Sequence, residues 1–310
     1  MKHVRTMAIN AHRVRWSVRA DTYAPTLLGC CAYREGRETL KVIAVANQKG
    51  GVGKTTVTRE LSACCALRGY HTLVIDCDPQ ANLSASWVDP DIYNITLSHV
   101  LIEPEAQTGI KLEPLALDDA IVESPLTNLD LVPADIRLAR LEMQPDYLAH
   151  RLTKQVREHA SGYDLVFIDC PPQLGKLLTA ALYSAQYVLV PCAADVMGLQ
   201  GLADLAYTIE QVRKNVNSDL TMLGAVINLY KPQRNLAAES RAAVEAAIAL
   251  VSHVFDTNLH DYSKIAEAPS QKLPAVMYAE RHRAADQLWS LTDEVLDRLE
   301  MSRNKLAAVN

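Results

Sequence analysis

Gln48-Lys49-Gly50-Gly51-Val52-Gly53-Lys54-Thr55-Thr56 packs three glycines, two lysines and two threonines into nine residues. It follows the apolar run 41–47 and precedes a helical pattern. Strand, glycine loop, helix is the setting in which such a run wraps phosphate. Gly50, Gly51 and Gly53 let backbone N–H groups turn inward as an anion nest. The helix that follows adds its positive N-terminal end. Lys54 reaches the β- and γ-phosphates, and Thr55 offers a hydroxyl to Mg²⁺. Val52 and Thr56 complete the cradle. Lys49 is superfluous to an ordinary phosphate loop.

Two carboxylate sites narrow the chemistry. Val74-Ile75-Asp76-Cys77-Asp78-Pro79-Gln80 is a strand ending in two acids. At period 2, Asp76 and Asp78 project from one face. The carboxyl ends of strands in an open α/β sheet border the ligand crevice, so both acids are expected at the phosphates. One would orient the attacking water and the other would support the metal or the loop. The plainer alternative is that they cap the next turn. The second site is Leu165-Val166-Phe167-Ile168-Asp169-Cys170-Pro171-Pro172, an apolar strand with Asp169 at its end. An acid so placed meets Mg²⁺ directly or through water.

Alternating elements must position these groups. Short strands, apolar on both faces, are predicted at 41–47, 72–77, 129–132, 164–169, 186–191 and 222–228. Helical patterns fall at 54–68, 136–159, 174–184, 198–215, 236–253 and 284–300. The alternation predicts an α/β fold with a doubly wound, mostly parallel sheet and helices on both faces. Residues 41–300 read as one domain and 301–310 as a tail. Segment 88–127, with Pro90, Pro104, Pro114 and Pro125, is the least regular and is expected to wrap the surface.

The chain has 310 residues, 49% hydrophobic and 22% charged, ordinary values for a globular protein. Its net charge of −5 excludes a global polycation, so any nucleic-acid contact needs a local basic patch. Residues 1–40 hold seven Lys/Arg and three acids, a net of +4, which leaves −9 for the remainder. That arm reads as an anion-binding extension, or as a solvated and partly disordered one, or as a misassigned start. Seven cysteines, none spaced Cys-x-x-Cys, lie mostly in apolar runs. They read as small core residues in a reducing compartment and give no support for a zinc or iron–sulfur site. No secretory signal and no run of 18 apolar residues is present, so no transmembrane helix is expected.

Taken together, Lys49-Gly50-Gly51-Val52-Gly53-Lys54-Thr55-Thr56, Asp76-Cys77-Asp78-Pro79-Gln80-Ala81-Asn82-Leu83-Ser84 and Asp169-Cys170-Pro171-Pro172 resemble the ParA/Soj family of deviant Walker A ATPases. Asn128-Leu129-Asp130-Leu131-Val132-Pro133-Ala134 is similar to the family's third strand. Glu267-Ala268-Pro269-Ser270 is similar to a late family motif. The resemblance spans about residues 41–300. It implies a P-loop NTPase fold, Mg²⁺-dependent ATP hydrolysis with a slow intrinsic rate, and DNA partition of a plasmid or chromosome. By matched position it implies that Lys54 is the phosphate-loop lysine and that Lys49 reaches the partner subunit's nucleotide in an ATP-dependent homodimer. Thr55 becomes the Mg²⁺ ligand, with Asp169 the Walker B acid and Asp76 in support. Asp78 positions the hydrolytic water. Asn228 is given an adenine contact, against the alternative of a strand-terminating Asn. The implied partners are a ParB-like centromere-binding protein and nonspecific double-stranded DNA, in a cytoplasmic protein that is nucleoid-associated when ATP-bound.

The chain also departs from the pattern. Gln173 follows the paired prolines where Ser is usual, and Asp261 stands where Arg is common before the late motif. The DNA-contact set is therefore open among Lys231, Arg234, Arg241, Lys264 and Lys272, each equally readable as solvated surface. A second reading is a MinD-like ATPase that cycles on membranes through its last helix. The polar face of 286–300 is acidic and suits an anionic membrane poorly, so stable membrane association is not expected. A metal-cluster carrier of the same fold is disfavoured by the missing Cys-x-x-Cys.

Overall fold

The computed structural model describes residues 40–101, 115–143, 149–193, 198–231, 236–248 and 252–302. All of them belong to one unit, Glu38–Asn310. The basic arm, most of the tail and Arg234 lie outside the described residues.

Seven strands form one sheet: β1 (Lys41–Val45), β2 (Thr72–Asp76), β3 (Val122–Glu123), β4 (Leu129–Val132), β5 (Leu165–Asp169), β6 (Tyr187–Ala193) and β7 (Thr221–Asn228). Their order across the sheet is β3-β4-β2-β5-β1-β6-β7, and every pairing is parallel except β3 with β4. The period-2 rule sorts their side chains between two cores. Val42 and Ala44 of β1 and Val166 and Ile168 of β5 face one core; Ile43 and Val45 with Leu165 and Phe167 face the other. Burial on both faces explains why the strands read as unbroken apolar runs.

The first core is covered by α3 (Leu97–Leu101), α4 (Ala149–His159), α5 (Lys176–Ser184), α6 (Gly198–Asn215) and α7 (Leu236–Ile248). The second lies under α1 (Lys54–Leu67) and α10 (Arg283–Arg298). Helix α1 is buried nearly all round, between sheet and α10. Helix α10 begins where the His282 ring accepts from the Ala284 N–H at 3.1 Å, and it buries Leu288, Leu291, Val295 and Leu296. Each of these leucines and valines contributes roughly 2 kcal/mol. Its apolar stripe is spent on the domain, as the acidic polar face foretold.

Short helices α2 (Asn82–Trp87), α8 (Ser263–Glu267) and α9 (Ala275–Tyr278) follow no periodic signal long enough to be read in sequence. The helix expected over 136–159 is instead a 3₁₀ segment, Ile136–Met143, and a separate α4. Pro145 lies between them and cannot continue a helix. The irregular stretch 88–127 carries α3, two short 3₁₀ turns and the antiparallel edge strand β3.

Candidate active site

The glycine loop runs from the end of β1 into α1. Gly51 and Gly53 sit at φ 74° and 86°, in the left-handed region that glycine tolerates. A Cβ on Gly50 or Gly51 would meet nothing within 4 Å, so that side of the loop is open for an anion. A Cβ on Gly53 would collide with the Asn228 amide. Two asparagines pin the loop from below. Asn47 donates to Pro191 O at 2.7 Å and accepts from the Lys49 N–H at 2.9 Å. Asn228 donates to Val52 O at 2.8 Å. The structure thus places Asn228, 4% exposed, as a brace beneath the loop; the described geometry brings it to loop backbone, and the adenine contact has no support from it. Asn47 carried no sequence signal beyond its place before the loop.

Lys54 is 7% exposed, and its ammonium donates to Lys49 O at 3.3 Å. Burial lowers its pKa, and the Asp169 carboxylate opposes the shift. Asp169, at the end of β5, is 1% exposed. It accepts from Thr55 Oγ1 at 2.7 Å on one oxygen and from Thr58 Oγ1 at 3.2 Å on the other. Burial first, and then the Asp76 carboxylate, push the Asp169 pKa up; burial does the same to Asp76.

Asp76 corrects an expectation. It and Asp169 are register partners on adjacent strands, yet Asp76 turns into the loop that follows. One oxygen accepts from the Asp78 N–H at 3.1 Å, the other from Ser84 N–H at 2.9 Å and Ser84 Oγ at 2.6 Å. Ser84 Oγ in turn accepts from Ala134 N–H at 2.9 Å. In this structure Asp76 braces the loop, its two oxygens accepting from three donors. The period-2 argument failed because β2 ends at Asp76. Asp78 lies past the strand, half-buried at the rim, and accepts from the Gln80 N–H at 2.9 Å. Asp76 and Asp78 do cap the turn, and only Asp78 stays on the open side.

The residues present fit a Mg²⁺–nucleoside triphosphate. Among the described residues no group of three or more His, Cys, Asp or Glu side chains can hold a metal. A hydroxyl and a carboxylate, Thr55 and Asp169, would leave most of the shell to water and phosphate, the habit of Mg²⁺. The half-buried Lys49 stands at the start of the cradle. Described cysteines 64, 65, 77, 170 and 192 are buried and free, as core residues.

The described members of the proposed DNA set are engaged within the chain. Lys231 pairs with Asp261 at 2.7 Å, Lys264 with Glu267 at 2.8 Å, and Arg241 with Glu245 at 2.8 Å. Lys272 pairs with Asp89 at 3.2 Å.

A buried loop lysine, a threonine on a strand-end acid and an open glycine nest on a mostly parallel sheet define the site of a phosphate-loop NTPase. A family profile described as an AAA domain matches residues 40–222. The sporulation initiation inhibitor protein Soj of Bacillus subtilis is 32% identical over 82% of this chain and 98% of its own. The chromosome partitioning protein ParA of Caulobacter vibrioides is 34% identical over 87% of this chain and 98% of its own. Among solved structures, cobyrinic acid a,c-diamide synthase from Mycobacterium smegmatis, with a bound ATP analogue and magnesium, superimposes with a TM-score of 0.71 at 28% identity. The match covers 86% of this chain and 97% of that one. The chain belongs to the ParA/Soj family of P-loop ATPases.

Proposed function

We propose that this chain is an ATPase that partitions DNA. The observation that carries the reading is the Lys54–Thr55–Asp169 constellation under an open glycine nest, in a chain similar to ParA over nearly all of that protein's length. Loop N–H groups and the α1 N-terminus hold the phosphates, and Lys54, kept in a desolvated position, meets the γ-phosphate at full strength. Thr55 and Asp169 would hold Mg²⁺, which when bound neutralises charge on the β- and γ-oxygens. Asp78 orients the attacking water and accepts its proton density at the rim. Phosphoryl transfer asks for positioning and charge neutralisation rather than covalent catalysis, and these residues supply both.

Lys49 completes the nucleotide site of a second copy, so ATP closes a homodimer. The closed dimer binds double-stranded DNA without sequence preference, and a ParB-like centromere-binding protein speeds the otherwise slow hydrolysis that releases it. The late lysines and arginines supply phosphate contacts only where their internal ion pairs open; exposed pairs are worth under about 1 kcal/mol, so this costs little. The buried stripe of α10 favours this reading over a membrane-cycling one, and among the described residues no helix is long and apolar enough to cross a membrane. The test is retention on random duplex DNA. Retention with ATP that falls steeply as salt rises and is lost in Lys54→Ala supports the reading. Equal retention with and without ATP contradicts it.

A further inference from the structure

The loop that carries Asp78 continues into α2, a helix of six residues. So short a helix has little stability of its own. Its placement depends on what holds its two ends. The N-terminal end is tied to Asp76 and, through Ser84, to Ala134 behind β4. The C-terminal end is gripped by Lys272, which lies 184 residues from Val88 in the chain. Its ammonium donates to Ala85 O, to Val88 O at 3.3 Å, and to the Asp89 carboxylate at 3.2 Å. A lysine has three donors, and all three are used. The ammonium also lies where the C-terminal carbonyls of α2 concentrate negative partial charge.

The turn that bears Lys272 is joined to the phosphate-loop helix as well. Arg59 of α1 donates to Leu273 O at 2.6 Å, and Glu60 accepts from the Ala275 N–H at 2.7 Å. Arg59 and Glu60 form an ion pair at 2% and 0% exposure. The same Arg59 guanidinium stacks on Trp87, the last residue of α2, at 4.5 Å. Turn 272–275 therefore holds α2 through Lys272 and α1 through Leu273 and Ala275. These are the two helices that leave the two halves of the active site: α1 begins with Lys54 and Thr55, and α2 follows Asp78. Lys272 itself sits at φ 54°, in a conformation that side-chain-bearing residues adopt reluctantly. Glycine would be easier there, yet glycine has no ammonium.

We propose that Lys272 is a positioning residue for hydrolysis: by clamping the end of α2 to the turn that also holds α1, it fixes Asp78 relative to the phosphate loop. This rests on the ATPase reading above and replaces the DNA contact first suggested for this lysine. Small displacements of a group that orients a reactant cost large factors in rate; about 1 Å is worth up to about a hundredfold.

The test uses the full chain with Mg²⁺ and ATP, and no DNA. Lys272→Gly removes the ammonium and relaxes the backbone. Lys272→Met keeps the stem and removes only the donors. Both are expected to lower kcat on the order of tenfold with KM for ATP little changed, and Lys272→Gly is expected to keep its Tm. Lys272→Arg, which restores a cation with donors, is expected to recover most of the turnover. Wild-type kcat in both the Gly and Met variants would overturn the proposal. So would loss of retention on duplex DNA, read in a separate assay of the same variants, at unchanged kcat, which marks a DNA contact, or a fall in kcat only in step with Tm, which marks a merely structural grip. Absence of hydrolysis by the wild type would instead overturn the ATPase reading, and this proposal with it.

Discussion

Two aspartates stand side by side at the ends of β2 and β5, in register and fully buried, and they meet opposite kinds of partner. Asp169 is met by side-chain hydroxyls, Thr55 and Thr58, and feels the charge of the Lys54 ammonium. Those hydroxyls rotate, and Thr55 is free to turn its lone pairs toward a cation. Asp76 is met by two backbone N–H groups and by Ser84, whose oxygen is itself fixed by the Ala134 N–H. Backbone donors cannot rotate away. Burial and position in register therefore do not separate the two carboxylates; the kind of partner each has does. Under the proposed function Asp169 would be the one available to a cation, while Asp76 is engaged by the backbone of the loop.

The contrast is broken most strongly at Asp169. Asp169→Ala should lower Mg²⁺-dependent ATP turnover by about 10²–10³-fold, with thermal stability unchanged or raised, because a buried and raised carboxylate is removed. Steady-state turnover paired with thermal melts reads both. Asp76→Asn should do the reverse. Its amide must point an N–H at donors, which costs about 1–3 kcal/mol; denaturant unfolding reads the loss, and turnover should fall less than in Asp169→Ala. Equal losses of turnover in the two variants would erase the distinction.

A smaller effect concerns the neighbouring strand end. At Asp135, past β4, burial acts to raise the pKa, but hydrogen bonds from Arg137, Thr96 and Ser98 outweigh it and hold the carboxyl at about 2. A folded-state pKa below the ordinary value means stability that is present above about pH 4 and lost as pH falls toward 2. Asp135→Asn should therefore melt lower than wild type at neutral pH, with the gap closing across that window. A gap independent of pH would mean that shape, not charge, makes the contribution.

Much of this was legible in the residues. The loop 48–56 sits where its glycines demand, and Thr55 and Asp169 meet across 114 residues because a phosphate loop and an acid-ended strand are each local signals. Strands 72–77 and 129–132 were readable as short, mostly apolar runs. The expectation that Asp76 and Asp78 share one face does not hold, since it requires β2 to continue two residues further than its hydrogen bonds allow. Pro145 was visible and its effect on 136–159 was not weighed. Lys272 lay beyond reach: its three acceptors are on a short helix with no periodic signature and on the two residues that follow it, and which carbonyls a lysine meets is decided by tertiary packing. Arg59 and Glu60, buried as a pair, are unreadable for the same reason; a charged dipeptide in a helix normally signals a solvated face.

In the proposed function Lys49 is the residue that lets one copy complete the site of another. Sedimentation velocity with Mg²⁺–ATP tests this most directly, in an Asp78→Ala background where bound ATP should persist. Asp78→Ala is expected to sediment as a dimer with ATP and as a monomer with ADP. Adding Lys49→Ala should return it to a monomer while ATP still binds. A dimer that persists without Lys49, or a monomer in all three conditions, would contradict the account.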